Sequence, residues 1–165
     1  CFGGSFFAIL KAEDFCFEIV PSEAAAITKM GLEVMEEANK QHKVQHPLIP
    51  ENNKILLAEF GIHKEGENAR NCVIFGAKNV DRSPCGTGTC AKMALLAAKG
   101  ELKPGEKFLH ESILGTVFEG HYEPGLKVGE FDTVQPYIKG TANITGFNWL
   151  VRQESDPLLP GFLLG

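Results

Sequence analysis

One segment of the sequence combines residue types and spacing that could do chemistry. Residues 81–89 are Asp-Arg-Ser-Pro-Cys-Gly-Thr-Gly-Thr, a glycine-rich turn followed by an apolar run that predicts a helix. The first N–H groups of a helix have no partner within it and point at one place, which makes them a binding site for a carboxylate or phosphate. Cys85 lies at the mouth of this site, where these N–H groups and the helix dipole favour the thiolate and predict a lowered pKa. The segment therefore predicts a reactive thiol beside a bound anion.

Three well-known anion-binding motifs do not fit this segment. A phosphatase loop needs an arginine shortly after the cysteine, and none follows Cys85. A dinucleotide fingerprint is nominally present from Gly86 to Ala91, but the preceding strand ends too early and no second parallel strand follows. A P-loop needs Lys and then Ser or Thr after its second glycine, where this chain has Thr89-Cys90. The segment therefore predicts a site for a carboxylate or a phosphate that follows none of these three motifs.

The elements that must position this segment are predicted to be short strands and two helices. The first strands are expected over residues 1–10, Phe15–Val20, Ile55–Phe60 and, after a polar loop over Lys64–Asn71, Cys72–Gly76. A surface helix with Ser22 as its N-cap is predicted to run to Gln41, because apolar and charged residues separate onto two faces at helical spacing. The run Cys90–Ala98 is apolar on nearly every side and broken only by Lys92, which predicts a helix buried in the core.

The last third of the chain predicts further strands separated by glycine- and proline-bearing turns. They are expected over Phe108–Glu111, Ile113–Phe118, Val134–Lys139 and Ile144–Val151. Regular alternation of strand and helix is missing from the chain. The pattern therefore predicts an α+β fold in which a mixed or antiparallel sheet is wrapped around a buried central helix.

Length and composition limit the classes of protein to consider. The chain has 165 residues, 44% of them hydrophobic and 22% charged, as expected of a single globular domain over residues 1–165. The net charge of −5 argues against nucleic-acid binding, and no apolar stretch approaches the length of a membrane span. The five cysteines form no CxxC pair, which indicates neither a zinc site nor a disulfide framework and favours a reducing cytoplasm.

The segment from Asp81 to Thr89 resembles the second active-site motif of the proline racemase and 4-hydroxyproline epimerase family. Members of this family are cofactor-independent enzymes that invert the α-carbon of an imino acid. Further segments resemble the family in the same order, namely Gly3–Ile9, Lys43–Pro47, Val73–Gly76, Glu111–Gly115 and Ile144–Asn148. One departure is Ser5, where the family usually has Asn after the two glycines.

The resemblance implies one half of a diaminopimelate epimerase-like fold and a chemistry based on two thiols. Inversion without a cofactor needs a base on one face of Cα and an acid on the other, because a single group tends to return the proton to the face it left. By resemblance, Cys85 is one of the two thiols. The substrate carboxylate would be held by the N–H groups of Gly86, Thr87 and Gly88.

Two further residues acquire expected roles from the same resemblance. Asp81 corresponds to the partner of the substrate's ring ammonium, although an aspartate here could also simply form a turn. Phe75 corresponds to an aromatic wall against the pyrrolidine ring, with an ordinary core phenylalanine as the alternative. No cofactor and no metal are implied, and His42 and His46, which have no third ligand at suitable spacing, are expected to have loop and capping roles.

The second thiol is expected to come from outside this sequence. The resemblance covers the C-terminal half of the family, and the first active-site motif, Cys-Gly-His, does not occur. Cys90 follows Cys85 on the same helix, about 140° around and about 7.5 Å along it, so it cannot face Cys85 across a small substrate. The start at Cys1, without a methionine, fits the interior of a longer protein. We therefore expect a missing N-terminal half-domain and an inert isolated chain.

Two classes of function follow from these expectations. The first is an isomerase acting on proline or 4-hydroxyproline, in which Phe75 favours the less polar ring. Related 3-hydroxyproline dehydratases typically carry Thr at the position of Cys85, so this cysteine favours inversion over dehydration. The second is a non-catalytic module that captures small carboxylates. The expected partners are a small-molecule substrate and the missing half, with a homodimer left open.

Overall fold

A mixed sheet carries most of the fold. The computed structural model describes residues 1–63 and 68–161, so part of the predicted loop over Lys64–Asn71 lies outside the described residues. The strands are β1 (Phe6–Lys11), β2 (Ile55–Ile62), β3 (Ala69–Phe75), β4 (Asn79–Val80), β5 (Phe108–Glu111), β6 (Val117–Pro124) and β7 (Val134–Lys139). The main order is β1-β2-β3-β5-β6-β7, and β4 pairs with β3. β1 is parallel to β2 and β3 is parallel to β5, whereas the other neighbours are antiparallel.

Alternating side chains divide β2 and β3 between two faces of the sheet. Ala58 and Phe60 of β2 pack in one core cluster with Cys72 and Ile74 of β3. Glu59 and Val73, which are cross-strand partners, lie on the opposite face. Each face is covered by a different helix.

The first helix, α1 (Ala24–Gln41), covers the face formed by Phe60 and Ile74. Its buried residues Ile27, Gly31 and Met35 follow helical spacing, which confirms the predicted amphipathic helix and its end at Gln41. Gly31 allows a close approach, because a Cβ at this position would lie 3.0 Å from Ile74 Cγ1.

The start of α1 differs from the prediction. Pro21–Glu23 form a short 3₁₀ turn, and the N-cap is Glu23, without a side-chain capping bond. Ser22 lies within this turn and therefore does not cap the helix. Near the other end, Asn39 ties α1 to β2, since its side chain accepts a hydrogen bond from Ile55 N at 2.9 Å and donates one to Ile55 O at 2.8 Å.

The second helix, α2 (Gly86–Ala98), lies on the other face, inside the curl of the sheet. It packs against β1 on one side and against β6 and β7 on the other. Met93 and Leu96 join Phe108 and Tyr122 in a core cluster on this face. A Cβ on Gly120 of β6 would lie 3.0 Å from Met93 Sδ, so the absence of a side chain at Gly120 allows α2 to pack close to β6. The predicted α+β class, with a mixed sheet wrapped around a central helix, is confirmed.

Three predicted strands differ from the structure. Phe15–Val20 is not a strand: Ala12–Phe15 form a 3₁₀ turn that ends at Cys16 with a φ of 57°. The alternation there arises because Phe15 and Phe17 both pack edge-on against Phe60 without pairing as strands.

The predicted strand over Ile113–Phe118 begins only at Val117. A turn precedes it, closed by a 2.8 Å hydrogen bond from Ser112 N to Thr116 O and a left-handed Gly115. Ile144–Val151 has no regular secondary structure, and its side chains are largely exposed, including Trp149 at 95%. Within residues 1–63 and 68–161, none of the helices has the length and apolar character that crossing a membrane requires.

Candidate active site

The turn that leads into α2 lies along the middle of β3. β5 pairs with β3 only at Ala69 and Arg70, and β4 pairs with it only at its far end. Between them, Asp81 N donates to Val73 O at 3.0 Å, and the Asn71 side chain donates to Pro84 O at 2.8 Å. The edge of β3 thereby fixes both ends of the Asp81–Pro84 segment and sets where α2 begins.

Inside this segment, Asp81 acts as the hub of a turn. Its Oδ1 accepts hydrogen bonds from Ser83 N at 2.8 Å and from Ser83 Oγ at 2.9 Å. The same Ser83 Oγ accepts the N–H of Cys85 at 3.1 Å. The turn-forming role considered for Asp81 is therefore present, and it orients the backbone of the cysteine.

Cys85 is the N-cap of α2 and has an unusual backbone. Its φ of 64° lies in the left-handed region, which non-glycine residues rarely occupy and which costs roughly 1–3 kcal/mol. Its Sγ accepts the N–H of Gly88 at 3.3 Å and lies 3.5 Å from Thr87 Oγ1. This backbone conformation holds the thiol over the first turn of the helix.

The pKa of Cys85 differs in direction from the sequence-based expectation. Burial is the largest influence and raises the pKa of this thiol above its ordinary value, because Cys85 is only 7% exposed. The Thr87 hydroxyl and the Gly88 N–H lower this pKa and offset part of the effect, while the Asp81 and Glu59 carboxylates add to it. The predicted lowering was therefore wrong, because desolvation outweighs the helix N-terminus. Cys85 rests as a thiol at neutral pH.

The three residues predicted to bind the carboxylate fall into two groups. Gly86 and Thr87, the first two residues of α2, are exposed, and in the part of the chain that the structure describes their N–H groups have no acceptor. Gly88 is buried and its N–H is already used by Cys85 Sγ, so it is not free for a carboxylate. Of the three predicted donors, therefore, the N–H groups of Gly86 and Thr87 are the two without an acceptor among the described residues.

Phe75 lies at the end of β3 on the same face as Cys85. It is 38% exposed, so it is not an ordinary core phenylalanine. Its cross-strand partner Leu57 packs against the cluster that contains Cys85, Val73 and Phe7. An exposed aromatic ring is thus available on the side of the sheet that carries the thiol.

The comparison with known families gives one match along nearly the whole chain. The sequence model described as "Proline racemase" matches residues 1–163. The chain belongs to the proline racemase family. The predicted family resemblance is thereby confirmed.

Relatives in this family are about twice as long as the chain. A proline racemase from Clostridioides difficile is 48% identical over 166 residues, which cover 99% of this chain and 49% of that protein. A 4-hydroxyproline epimerase from Brucella ovis is 39% identical, covering 98% of this chain and 49% of the epimerase. A solved hydroxyproline epimerase from Agrobacterium vitis, with bound trans-4-hydroxy-L-proline, matches with a TM-score of 0.85 at 32% identity, covering 99% of this chain and 47% of that one. The chain therefore spans about half the length of these relatives and has the fold of one half of them.

Gly3 and Gly4, near the start of the chain, pack directly against the first turns of α2, which follow Cys85. A Cβ on Gly3 would lie 2.2 Å from Thr87 O and 2.5 Å from Ala91 N, so no side chain fits there. Gly4 has a φ of 115°, and a Cβ there would lie 2.9 Å from Thr87 Cγ2. The two glycines let the start of the chain cover α2. Their place in the sequence, far from Cys85, gave no sign of this contact.

The other cysteines of this family member do not face Cys85 across a substrate-sized space. Cys72, expected on a strand leading toward the site, lies on the α1 side of the sheet, where burial raises its pKa to about 12. Cys16 is exposed and remote, and Cys1 donates through its Sγ to Ala91 O at 3.2 Å. Cys90, half-buried, lies on α2 itself. The chain therefore presents one thiol at this site.

His42 and His46, which were considered as metal ligands, cap a helix and stabilise a loop. His42 is the C-cap of α1, and His46 Nδ1 accepts the N–H groups of Leu48 and Ile49 at 3.2 and 3.1 Å. These are the loop and capping roles expected from the sequence. Among the residues described, no group of three His, Cys, Asp or Glu side chains is placed to hold a metal ion.

A cluster of buried polar residues beneath α2 was missed by the sequence analysis. Glu59, Asn71, Thr89 and His110 are each at most 1% exposed. They come from β2, β3, α2 and β5, which meet only in the curled sheet. The available signal was weak and consisted of a single acid inside the apolar β2 and a histidine in the alternating β5.

Proposed function

We propose that this chain is one half of a cofactor-independent amino-acid racemase or epimerase, with Cys85 as one of two acid/base thiols. The observation that carries the proposal is the placement of Cys85 Sγ over the first turn of α2, beside the N–H groups of Gly86 and Thr87, which have no acceptor among the described residues. Family membership along residues 1–163 supports an isomerase. The names of the relatives support proline or 4-hydroxyproline as the substrate.

The N–H groups of Gly86 and Thr87 would bind the substrate carboxylate. Loss of the α-proton moves negative charge onto that carboxylate, so donors fixed in place stabilise the transition state more than the ground state. Because the N–H groups belong to the first turn of a helix, the helix dipole adds to this effect. The same turn would therefore bind the substrate and acidify its Cα–H bond.

The proton transfer uses two thiols. One turnover exchanges the thiol and the thiolate between the two cysteines, and a turnover in the opposite direction restores them. A thiolate on one face takes the α-proton, so a C–H bond breaks and an S–H bond forms. A thiol on the other face gives its proton to Cα, so its S–H bond breaks and a new C–H bond forms. Since burial raises the pKa of Cys85, this residue begins as the proton donor. The thiolate that starts the reaction would belong to the opposing half.

Asp81 and Phe75 would hold the ring of the substrate. Asp81 Oδ1 is occupied by the hydrogen bonds from Ser83, which leaves its second oxygen for the ring ammonium. The Asp81 carboxylate also raises the pKa of Cys85, so its charge acts on the thiol and the substrate cation would reduce that repulsion. The exposed Phe75 offers an apolar wall that favours proline over its hydroxylated relative.

The partner in this proposal is a second half-domain that supplies the opposing thiol. The chain spans about half the length of its relatives, and Cys85 has no facing thiol in the described residues. The segment after β7 exposes large apolar side chains, with Phe147, Trp149 and Leu150 each more than 85% exposed. Apolar surface of this extent fits burial against another unit of the same enzyme.

Hydrogen exchange at Cα tests this proposal directly. Proline is incubated in D₂O with the chain alone and with the chain joined to an N-terminal half that carries a Cys-Gly-His motif. We expect deuterium at Cα and inversion only with both halves. In the joined enzyme, Cys85→Ser should reduce exchange by at least about 10³-fold, because a serine hydroxyl is far too weak an acid or base at neutral pH.

The matched control is Cys90→Ser, which changes a thiol on the same helix and should leave exchange near the wild-type rate. Exchange that survives Cys85→Ser would contradict the proposed role of the thiol. Binding of proline without exchange in the joined protein would favour the second candidate, a module that captures small carboxylates without reaction. A planar carboxylate such as pyrrole-2-carboxylate should protect Cys85, and not Cys16, from iodoacetamide.

A further inference from the structure

The buried polar cluster beneath α2 contains four polar atoms without hydrogen-bond partners in the described residues. They are both carboxylate oxygens of Glu59, Oδ1 of Asn71 and Nε2 of His110. Leaving a buried polar atom unpaired is costly in free energy. The positions of the protons on Glu59 and His110 decide which of these atoms can donate a hydrogen bond and which can accept one. The cluster directly supports the turn that carries Cys85, because Asn71 and Thr89 both bond to its backbone.

The hydrogen bonds of Thr89 fix the tautomer of His110. Thr89 Oγ1 donates its only proton to Cys85 O at 2.7 Å, which leaves its lone pairs as acceptors. His110 Nδ1 lies 3.0 Å from the same oxygen and must therefore supply the proton of that hydrogen bond. Burial lowers the pKa of His110 to about 3, with Lys92 and His63 adding to the effect, so the ring is neutral and carries a single proton. Nε2 is consequently an acceptor.

Glu59 is the group that faces this acceptor. Its Oε1 lies 3.9 Å from His110 Nε2, so the two atoms face each other without forming a hydrogen bond. An ionised carboxylate there would oppose its negative charge to a lone pair, whereas a protonated one presents a donor. Burial raises the pKa of Glu59 to about 8.

The charged groups around Glu59 come from two other parts of the chain. Lys92 of α2 and the amino group of Cys1 both lower the pKa of Glu59, and the nearby Asn71 amide acts in the same direction. They do not overcome burial, since none forms an ion pair with the carboxylate within the described residues. At neutral pH the acid and the histidine are both uncharged.

Glu59 is also close enough to Cys85 for its charge to matter. A Cβ on Gly88 would lie 2.8 Å from Glu59 Oε2 and 3.2 Å from Cys85 Cβ, so Glu59 Oε2 lies within about 6 Å of the carbon that carries the thiol sulfur. The Glu59 carboxylate accordingly raises the pKa of Cys85. A charge on Glu59 would therefore destabilise the Cys85 thiolate that forms when this residue gives its proton to Cα.

We propose that Glu59 is a positioning residue that holds a proton at neutral pH, faces His110, whose other ring nitrogen bonds to Thr89 beside the turn of Cys85, and keeps a negative charge away from the Cys85 thiol. The inference rests on the proposed function only for the importance of this thiol. Its test uses alkylation of Cys85, which proceeds whether or not the chain racemises proline. Failure of the proposed racemase or epimerase function therefore does not imply failure of the inference about Glu59, and the reverse also holds.

The first test compares the rates of iodoacetamide alkylation at Cys85 in wild type and Glu59→Gln from pH 6.5 to pH 10, resolved by peptide mass spectrometry. We expect equal rates near pH 7, where Glu59 is uncharged in both proteins. Above about pH 8, ionised Glu59 slows the wild type, so the variant should react faster by on the order of tenfold. Glu33→Gln on the exposed face of α1 is the matched control and should follow the wild type at every pH.

A rate ratio that stays constant across this pH range would overturn the proposal, because a merely structural effect of Glu59→Gln has no reason to follow the titration of Glu59. Alkylation of the exposed Cys16 serves as the internal reference in every sample. The second test needs no variant and reads the His110 tautomer from ¹⁵N chemical shifts of the wild-type chain. A proton on Nδ1 supports the proposal, and a proton on Nε2 would overturn it, since Glu59 would then be the acceptor.

Discussion

Two glycines in the same turn provide a sharp test of how α2 is packed. Gly86 and Gly88 are the first and third residues of the helix, and neither has a positive φ, so alanine suits the backbone at both. A Cβ on Gly86 meets nothing within 4 Å. A Cβ on Gly88 would lie 2.8 Å from Glu59 Oε2, 3.2 Å from Cys85 Cβ and 3.3 Å from Val73 Cγ2. The same substitution should therefore have opposite effects on stability two residues apart.

The size of each effect follows from these contacts. Gly86→Ala restricts the unfolded chain without creating a clash and should raise the free energy of unfolding by about 0.5–1 kcal/mol. Gly88→Ala gains up to about 1 kcal/mol of helix propensity but overpacks a closed space, which costs about 1–3 kcal/mol. Glu59 cannot swing aside into water because it is fully buried. The net expectation for Gly88→Ala is a loss of about 1–2 kcal/mol.

Thermal and urea unfolding of the two variants measure this difference. For a chain of 165 residues, 1 kcal/mol corresponds to about 2–4 °C in Tm, so the expected difference of about 1.5–3 kcal/mol should separate the two variants by about 3–12 °C. Equal Tm values, or a Gly88→Ala variant more stable than Gly86→Ala, would refute the packing of Glu59 against the helix. The urea dependence should keep the wild-type slope in both variants, which shows that the folded and unfolded states are otherwise unchanged.

Three further predictions concern the groups that hold the site in place. Thr89→Val leaves His110 Nδ1 buried without its partner and should lower the free energy of unfolding by about 1–3 kcal/mol, whereas Thr89→Ser should stay near wild type; equal urea midpoints for the two would contradict the hydrogen bond. The unfolded chain loses the Glu59 proton near its ordinary pKa and the folded chain only near a pKa of about 8, so wild-type stability falls as pH rises between them. Between these two pKa values, the free energy of unfolding of Glu59→Gln relative to wild type should increase by about 1.4 kcal/mol per pH unit. If urea unfolding shows that this difference does not change with pH, Glu59 is already ionised in the folded chain. Asn39→Ala removes both hydrogen bonds to Ile55 and should lower the free energy of unfolding in urea by about 1–3 kcal/mol. Gln41→Ala removes an exposed hydrogen bond to Glu37 on the same helix and should cost far less; similar losses for the two variants would contradict the role of Asn39 in joining α1 to β2.

The parts of the fold that the sequence predicted correctly are those in which local pattern and final structure agree. α1 separates apolar and charged residues at helical spacing, and this local pattern was enough to predict that the helix ends at Gln41. The glycine-rich turn before α2 was recognisable because its residue types are required locally, by the left-handed Cys85 and the hydrogen bonds of Asp81. The family resemblance rested on this same segment.

The errors arise where distant parts of the chain determine the outcome. Phe15 and Phe17 alternate like a strand because both pack on Phe60, a contact that no local pattern distinguishes from strand pairing. The pKa of Cys85 was expected to fall because the helix terminus is visible in the sequence, whereas its burial by other segments is not. The β-like run Ile144–Val151 predicted a strand, but among the described residues no neighbouring strand pairs with it.

The position of α2 within the curled sheet also bears on how the chain is made. Both β1, near the start of the sequence, and β7, which ends at Lys139, pack against this helix. During synthesis, Met93 and Leu96 leave the ribosome well before the strands that will cover them. Contacts between such distant segments slow folding, and an apolar helix awaiting its strands is the kind of surface that chaperones bind. The packing of α2 inside the sheet is therefore complete only after β7 has been synthesised.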